Sequence, residues 1–157
     1  MVQNSKTWLS KNNPFKPEKC QFKVCPLCKQ TRFIDFNVKN VGKCQIAYIG
    51  YRFICKVCNS TYEGETARLA RSRTVEHVKD LENHRNSSPL VKHIQNHHKE
   101  EKNPQFKIQI TGTFHDALSR QADEAVRINS ASETDRQMNS RAEFNSAKIS
   151  RIKLVKN

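Results

Sequence analysis

The sequence is poor in apolar residues for its length. Hydrophobic residues make up 36% of its 157 residues, whereas a typical globular chain contains about 45–50%. A chain of this length has room for one domain, or for one domain with a small appendage, which excludes a large multidomain enzyme. The apolar core must be small, and we expect another kind of interaction to stabilise the fold.

Long apolar runs are also lacking. No run approaches the ~18 residues of a membrane-spanning helix, and residues 1–19 contain neither the apolar stretch nor the cleavage site of a secretory signal. We therefore expect an intracellular protein with no membrane partner. Disulfides are rare in reducing compartments, so the six cysteines are predicted to be metal ligands.

Acidic residues are scarce relative to basic ones. The chain has 15 Asp and Glu against 28 Lys and Arg, which gives a formal net charge of +13. This excess is larger than ordinary solubility requires, and it predicts a polyanionic partner. Because the basic residues are spread throughout the chain and no segment can span a bilayer, nucleic acid is favoured over an anionic membrane.

Composition divides the chain into four segments. They are a basic, flexible lead-in at 1–19, a Cys-rich zinc-binding module at 20–44, a main domain at 45–150 and a basic tail at 151–157. No internal repeat or low-complexity tract interrupts them. The main domain is the segment in which we expect the functional chemistry.

Hydrophobic periodicity predicts a mixed α/β (α+β) domain. Residues 66–83 contain no glycine or proline and carry apolar residues at near-helical intervals, whereas residues 106–111 alternate as a half-buried strand does. Asp116 is expected to cap the last helix, and Ser88 the helix before it. Strands are predicted at 32–36, 45–54, 60–64, 106–111 and 149–155, and helices at 66–83, 90–98 and 117–128.

Two pairs of cysteines have the spacing of zinc ligands. Two residues separate Cys25 from Cys28, and two separate Cys55 from Cys58, so each pair can bind one tetrahedral Zn²⁺ from a tight turn. One assignment places all four of these thiolates in a single site. That assignment leaves the remaining two cysteines without a metal.

The other assignment uses every cysteine and forms two sites. The later pair then binds Zn²⁺ together with two histidines of the predicted helix 90–98. Both His93–His97 and His93–His98 have zinc spacing, so the residues alone do not separate His97 from His98. The first site would consist of Cys20, Cys25, Cys28 and Cys44, and the second of Cys55, Cys58, His93 and one of these two histidines.

Two tyrosines, an arginine and a histidine form a further pattern. Tyr51 and Tyr62 lie on the two arms of the predicted hairpin, Gly64 follows, and Arg73 and His77 share one face of the next helix. The pattern Y-x10-Y-x-G-x8-R-x3-H resembles the GIY-YIG nuclease superfamily. The resemblance implies a small antiparallel three-stranded sheet with flanking helices, preceded here by the Cys-rich zinc knuckle.

More narrowly, residues 20–150 resemble the endonuclease domain of Penelope-like retroelements. That family carries a C-x2-C pair between its tyrosine motifs and a Y-x-G-E-T stretch, which is similar to residues 62–66 here. Its zinc-binding histidines match His93 and, five residues later, His98. The resemblance therefore selects His98 over His97.

The resemblance also implies a catalytic metal. The metal-binding Glu of the family matches Glu124, which would hold one Mg²⁺ or Mn²⁺, and its late Asn matches Asn145, which would position that cluster. Glu63 stands where the family motif has isoleucine. We expect Glu63 to bring a negative charge to the phosphate-binding surface.

The implied activity is metal-dependent hydrolysis of DNA phosphodiester bonds. Tyr51 would act as the base or would position the attacking water. Its phenol has an ordinary pKa near 10, so Arg73 or His77 would have to lower that pKa. Arg73 would bind the phosphate as a bidentate fork, and Tyr62 would orient the phosphate or the water.

DNA is thus the expected partner, in the nucleus, with two structural Zn²⁺ in the protein. For a retroelement enzyme, a reverse transcriptase and the element RNA are further expected partners. The competing hypotheses are a non-catalytic zinc-stapled nucleic-acid-binding or targeting module, and a zinc adaptor for protein partners, whose ligand spacing would be more compact. DNA contacts are expected from Gly64, Arg68, Arg71, Lys79, Arg120 and Arg127.

Overall fold

A computed structural model of the protein describes residues 20–35, 37–132 and 137–140. Asn145, the strand predicted at 149–155 and the two flanking segments of the chain lie outside the described residues. The described ranges contain both predicted zinc sites and the predicted catalytic residues Tyr51, Tyr62, Arg73 and His77.

The centre of the fold is a four-stranded mixed sheet with the order β1-β4-β2-β3. Strand β2 pairs antiparallel with both β3 and β4, while β1 pairs parallel with β4. The strands are β1 (Ile34–Asp35), β2 (Ile49–Cys55), β3 (Thr61–Thr66) and β4 (Phe106–Thr113). The predicted hairpin is confirmed as β2 and β3.

The prediction of a three-stranded antiparallel sheet is wrong by one strand. Strand β1 comes from the Cys-rich segment, where Ile34 is fully buried and pairs with Phe106. Asn40 of the same segment donates a hydrogen bond from Nδ2 to the carbonyl of Ile108. The Cys-rich segment therefore extends the sheet, and it does so by burying apolar residues that a small core needs.

Three helices are confirmed, with shifted ends. They are α1 (Ala70–Glu82), α2 (Pro89–His97) and α3 (Ala117–Ser132). Helix α1 begins four residues later than predicted because β3 continues to Thr66. Asp116 caps α3 as predicted, since its Oδ1 accepts a hydrogen bond from the Ser119 backbone N–H at 2.7 Å. In the described part of the chain, no helix is long and apolar enough to cross a membrane.

The two faces of the β2–β3 hairpin are covered by different helices. Tyr51 pairs with Gly64 and Phe53 with Tyr62, so these four residues share one face. Helix α1 covers this face, and its His77 ring lies 4.9 Å from the Phe53 ring centroid. We call it the tyrosine face. Helix α3 packs against the opposite face.

Residues 137–140 run along the outer edge of β3. The Met138 backbone N–H donates to the carbonyl of Thr61 at 2.8 Å. The side-chain amide of Asn139 pairs with both backbone groups of Glu63, accepting from its N–H and donating to its carbonyl, each at 2.8 Å. This pairing satisfies backbone groups that an edge strand otherwise leaves open.

Candidate functional site

The first predicted zinc site is assembled in the Cys-rich segment. The sulfur atoms of its four cysteines all lie within 4.8 Å of one another, and tetrahedral Zn²⁺ with Zn–S bonds of about 2.3 Å needs separations of about 3.8 Å. The turn is closed by N–H groups of Cys28 and Lys29, which both donate to the carbonyl of Cys25, at 3.1 and 2.9 Å. These four thiols are suited to hold a zinc ion.

A cation at this site would have to displace the protons of the cysteine thiols. Burial raises the pKa of the Cys25 thiol to about 11, and burial also raises the pKa of Cys44. Without a cation both thiols stay protonated at neutral pH. A bound Zn²⁺ would stabilise the thiolates, and binding would release protons.

The second predicted site joins the end of β2 to helix α2. Cys58 Sγ lies 3.4 Å from His93 Nε2 and 3.2 Å from His98 Nε2, and Cys55 Sγ lies 3.6 Å from His98 Nε2. These distances are close to the edges of a zinc-centred tetrahedron, about 3.6 Å between sulfur and nitrogen ligands. Burial lowers the pKa of His93 to about 4, so its ring is neutral, as a metal ligand must be.

The grouping of the ligands follows the two-site assignment, and among the described residues no cluster joins the two cysteine pairs as the single-site alternative requires. The cysteines fall into two separate clusters, and the second contains His98 and not His97. The reason is the end of α2: His97 is the last helical residue and is exposed, whereas His98 has left the helix, with φ −137°. This turn brings the His98 ring back toward the cysteines.

The predicted catalytic residues of β2, β3 and α1 also lie together. Arg73 Nε donates to Tyr51 Oη at 3.0 Å, and Tyr51 Oη lies 3.0 Å from His77 Nε2. The Tyr62 ring is 6.5 Å from the Tyr51 ring and 5.8 Å from the His77 ring, between centroids. We refer to these four residues as the tyrosine cluster.

The charges within the tyrosine cluster differ from the expectation. Burial raises the pKa of Tyr51 and outweighs the nearby Arg73 charge, so the expected lowering of the tyrosine pKa is wrong. Burial, together with the Arg73 charge, lowers the pKa of His77 to about 3. His77 is therefore neutral at pH 7. In the tautomer that carries its proton on Nδ1, His77 Nε2 accepts the hydrogen bond of the Tyr51 hydroxyl, while Arg73 donates to the phenol oxygen.

Gly64 makes room for the Tyr51 ring. A Cβ on Gly64 would overlap the Tyr51 ring at Cζ, because the ring crosses β3 at this position. Gly64 is buried. Gly64 lies beneath the Tyr51 ring, and any larger residue there would displace the Tyr51 hydroxyl from Arg73 and His77.

Glu76 is a site residue that the sequence analysis missed. Its carboxylate accepts hydrogen bonds from both terminal nitrogens of Arg68, one at 2.8 Å, and from Arg73 Nη1 at 2.9 Å. The signal was available, since Glu76 follows Arg73 by three residues on a predicted helix and residues at that spacing are neighbours. Glu76 neutralises two of the arginines that face this surface.

Helix α3 carries the remaining predicted residues on the opposite face. Arg120 pairs with Glu65, and Arg127 pairs with Glu63. Glu124 lies on the same side of α3 and is buried, so it is across the sheet from the Tyr51 phenol. Both guanidinium groups would have to break an ion pair to bind DNA.

Glu63 does not lie on the tyrosine face. It alternates with Tyr62 and Gly64 along β3, and its fully buried carboxylate is held by Arg52 and Arg127. The expectation that Glu63 adds negative charge to the phosphate-binding surface is therefore wrong.

The other predicted DNA contacts occupy the surface of α1 and its start. Lys79 and Arg68 are exposed, and Arg71 is half-buried with its guanidinium over the Phe22 ring.

Comparison with protein-family models, with curated proteins and with solved structures gave no match. The resemblance to GIY-YIG nucleases therefore stays a prediction based on the motif residues.

Proposed function

We propose that this protein is a metal-dependent DNA endonuclease of the GIY-YIG type that binds two structural zinc ions. The observation that carries the proposal is the Tyr51 hydroxyl, which is held between Arg73 and His77 at 3.0 Å from each. A hydroxyl fixed between a cation and a neutral imidazole can hold an attacking water in one orientation, which hydrolysis requires.

The geometry supports a neutral phenol that holds the attacking water. The Tyr51 oxygen would orient this water, and the water proton would pass to solvent, because His77, with a pKa lowered to about 3, is too weak a base to take it up. The pKa of Tyr51, which burial raises, keeps the phenol protonated. Arg73 holds the phenol oxygen through Nε and presents its terminal nitrogens to the phosphate.

Access to Tyr51 depends on Glu76. Tyr51 is only 2% exposed, whereas Arg73 and Glu76 reach the surface. A substrate phosphate that replaces the Glu76 carboxylate on Arg73 would lie next to the Tyr51 hydroxyl. Arginine forks accept phosphate and carboxylate in the same geometry.

The reaction also calls for a divalent cation. Bound Mg²⁺ or Mn²⁺ would neutralise the charge that develops on the phosphate. The sequence assigns this ion to Glu124, with Asn145 as a positioning residue. For the remaining biology we propose, from the motif resemblance alone, a role in retroelement integration in the nucleus, alongside a reverse transcriptase and the element RNA.

One alternative has a specific observation in its favour. Tyr51 is nearly inaccessible and Glu124 lies on the other face of the sheet, which suits a non-catalytic, zinc-stapled module that binds nucleic acid. The two functions differ in a single property, the cleavage of DNA.

Supercoiled plasmid separates these functions. The zinc-loaded protein should convert it to nicked or linear DNA with Mg²⁺ or Mn²⁺ and not in buffer to which neither ion is added. Glu124→Ala should abolish cleavage with DNA binding retained, because a metal ligand stabilises chiefly the transition state. The control is Glu100→Ala, which removes an exposed carboxylate. A parent protein that binds DNA and never cuts it would establish the binding module instead.

A further inference from the structure

A pocket lies between the Cys-rich segment and the start of α1, apart from the tyrosine cluster. Its volume is about 450 Å³, within the range of small-ligand sites, about 300–1,000 Å³. Cys44, a ligand of the first predicted zinc site, also lines it. The side chains that the argument uses are Gln21, Phe22, Gln45, Leu69, Arg71 and Ser72.

One wall of the pocket is a stacking surface. The Arg71 guanidinium carbon lies 3.8 Å from the centroid of the Phe22 ring. Phe22 is 42% exposed and Leu69 is 46% exposed, although burying both would stabilise so small a core. Flat aromatic and guanidinium groups of this kind are the surfaces on which unpaired bases stack in nucleic-acid-binding proteins.

The remaining wall is polar and carries no carboxylate. Gln21 and Gln45 supply amide donors and acceptors, and Ser72 supplies a hydroxyl. Among the residues that the structure describes, no Asp or Glu lines this pocket. Hydrogen-bonding groups around an apolar slot beside a cation match the edge, the face and the flanking phosphate of a nucleotide.

The pocket lies on a different side of α1 from the proposed cleavage site. Arg71 and Arg73 are two residues apart, so their side chains leave the helix about 200° from each other. The Ala70 backbone N–H donates to the carbonyl of Ile46 at 2.8 Å, which fixes this turn against the segment that follows Cys44. The helix turn that carries Arg71 is therefore held against the Cys-rich segment that carries Phe22.

We propose that this pocket binds one unpaired nucleobase of the nucleic-acid partner, stacked on the Phe22–Arg71 pair. The proposal rests on the nucleic-acid partner of the proposed function and does not depend on cleavage. It implies that the protein prefers DNA or RNA that offers an unpaired base.

The test is binding of the zinc-loaded, full-length protein to a fluorescent oligothymidine strand and to a blunt duplex of equal length, by anisotropy. Phe22→Ala should weaken binding to the single strand about tenfold, the usual cost of losing one stacked base, and should change duplex binding less than twofold. Phe22→Trp should restore single-strand binding. Val24→Ala, which shortens an exposed apolar residue of the same segment, should have no effect.

Each outcome decides the proposal. Unchanged single-strand binding by Phe22→Ala, or equal weakening for single strand and duplex, would overturn it, provided that metal analysis shows the zinc content of the parent. If the parent binds no nucleic acid, the base pocket and the nucleic-acid function fail together. A protein that shows the Phe22 effect and cuts no DNA would support the pocket and contradict the nuclease.

Discussion

Glu76 occupies the position in which a substrate phosphate would meet Arg68 and Arg73. Its carboxylate bridges the two guanidinium groups, and its side chain is 37% exposed. The bridge keeps two arginines ordered beside Tyr51 when no phosphate is bound. It also places a negative charge where a polyanion must approach, so DNA has to compete with it.

Removal of the Glu76 charge should therefore strengthen DNA binding. We expect Glu76→Gln to bind a duplex up to about fivefold more tightly, since exposed ion pairs contribute about 0.2–1 kcal/mol. The control is Glu82→Gln, which removes the same charge from an exposed position of α1. Anisotropy titration measures both. Equal affinities for the two variants would contradict the competition, and loss of cleavage by Glu76→Gln would assign Glu76 to the catalytic machinery.

The sequence predicted the tyrosine cluster well because its members are linked by simple periodicities. Arg73 and His77 are four residues apart on a helix, and hairpin pairing places Tyr51 and Tyr62 on one face. The same alternation places Glu63 on the opposite face, which the sequence analysis overlooked. The direction of the Tyr51 pKa shift was not predictable, because it depends on burial that only the packed structure defines.

At the level of elements, each zinc site joins segments that the apolar core alone holds weakly. The first closes the Cys-rich segment, which adds β1 to the sheet, and the second joins the end of β2 to α2. The spacing of the cysteines predicted the sites. The choice between His97 and His98 depended on where α2 ends, and sequence patterns locate helix ends less reliably than helices.

The two sites should lose zinc independently. We expect two Zn²⁺ per chain, one after Cys20→Ser and one after His98→Asn, with the zinc of the other site retained in each. His97→Asn, the neighbouring control, should keep both ions. Native mass spectrometry counts the metals. One Zn²⁺ in the parent, or loss of both ions from Cys20→Ser, would contradict the assignment.

Strand β1 shows what the sequence could not reveal. The run 32–36 was predicted as a strand, but its partner was not, because pairing with β4 lies more than 70 residues away in the chain. Local patterns carry no information about such long-range pairs. Strands β4, β2 and β3 are antiparallel neighbours, and β1 extends them to a four-stranded mixed sheet.

For the whole molecule, the dominant property is its positive charge. Of the basic residues expected to bind DNA, Arg120 and Arg127 are held in largely buried ion pairs on the α3 face. Arg68, whose ion pair with Glu76 is exposed, lies with Arg71 and Lys79 on the exposed side or the start of α1. We therefore expect DNA to bind along α1.

Binding should weaken steeply with salt. Each phosphate neutralised by a Lys or Arg contributes about 0.9 to the slope of log K against log salt for duplex DNA, and we expect a slope of at least about 3. Lys79→Ala should reduce the slope by about 1, while Lys107→Ala, on the exposed side of β4, should leave it unchanged. Titrations at several salt concentrations measure both values. A slope below about 2 would contradict the basic-surface interpretation.

The central claim is that the Tyr51 hydroxyl positions the attacking water during cleavage of DNA. Tyr51→Phe deletes this hydroxyl and keeps the ring that packs against Gly64, while Tyr48→Phe makes the same change at an exposed tyrosine. The most direct measurement is the rate at which each variant nicks supercoiled plasmid with Mg²⁺ at saturating protein. Loss of a group that positions a reactant costs about 100-fold in rate, so Tyr51→Phe should be about 100-fold slower than the parent, and Tyr48→Phe should cleave at the rate of the parent. Cleavage by Tyr51→Phe at the rate of the parent would contradict the account.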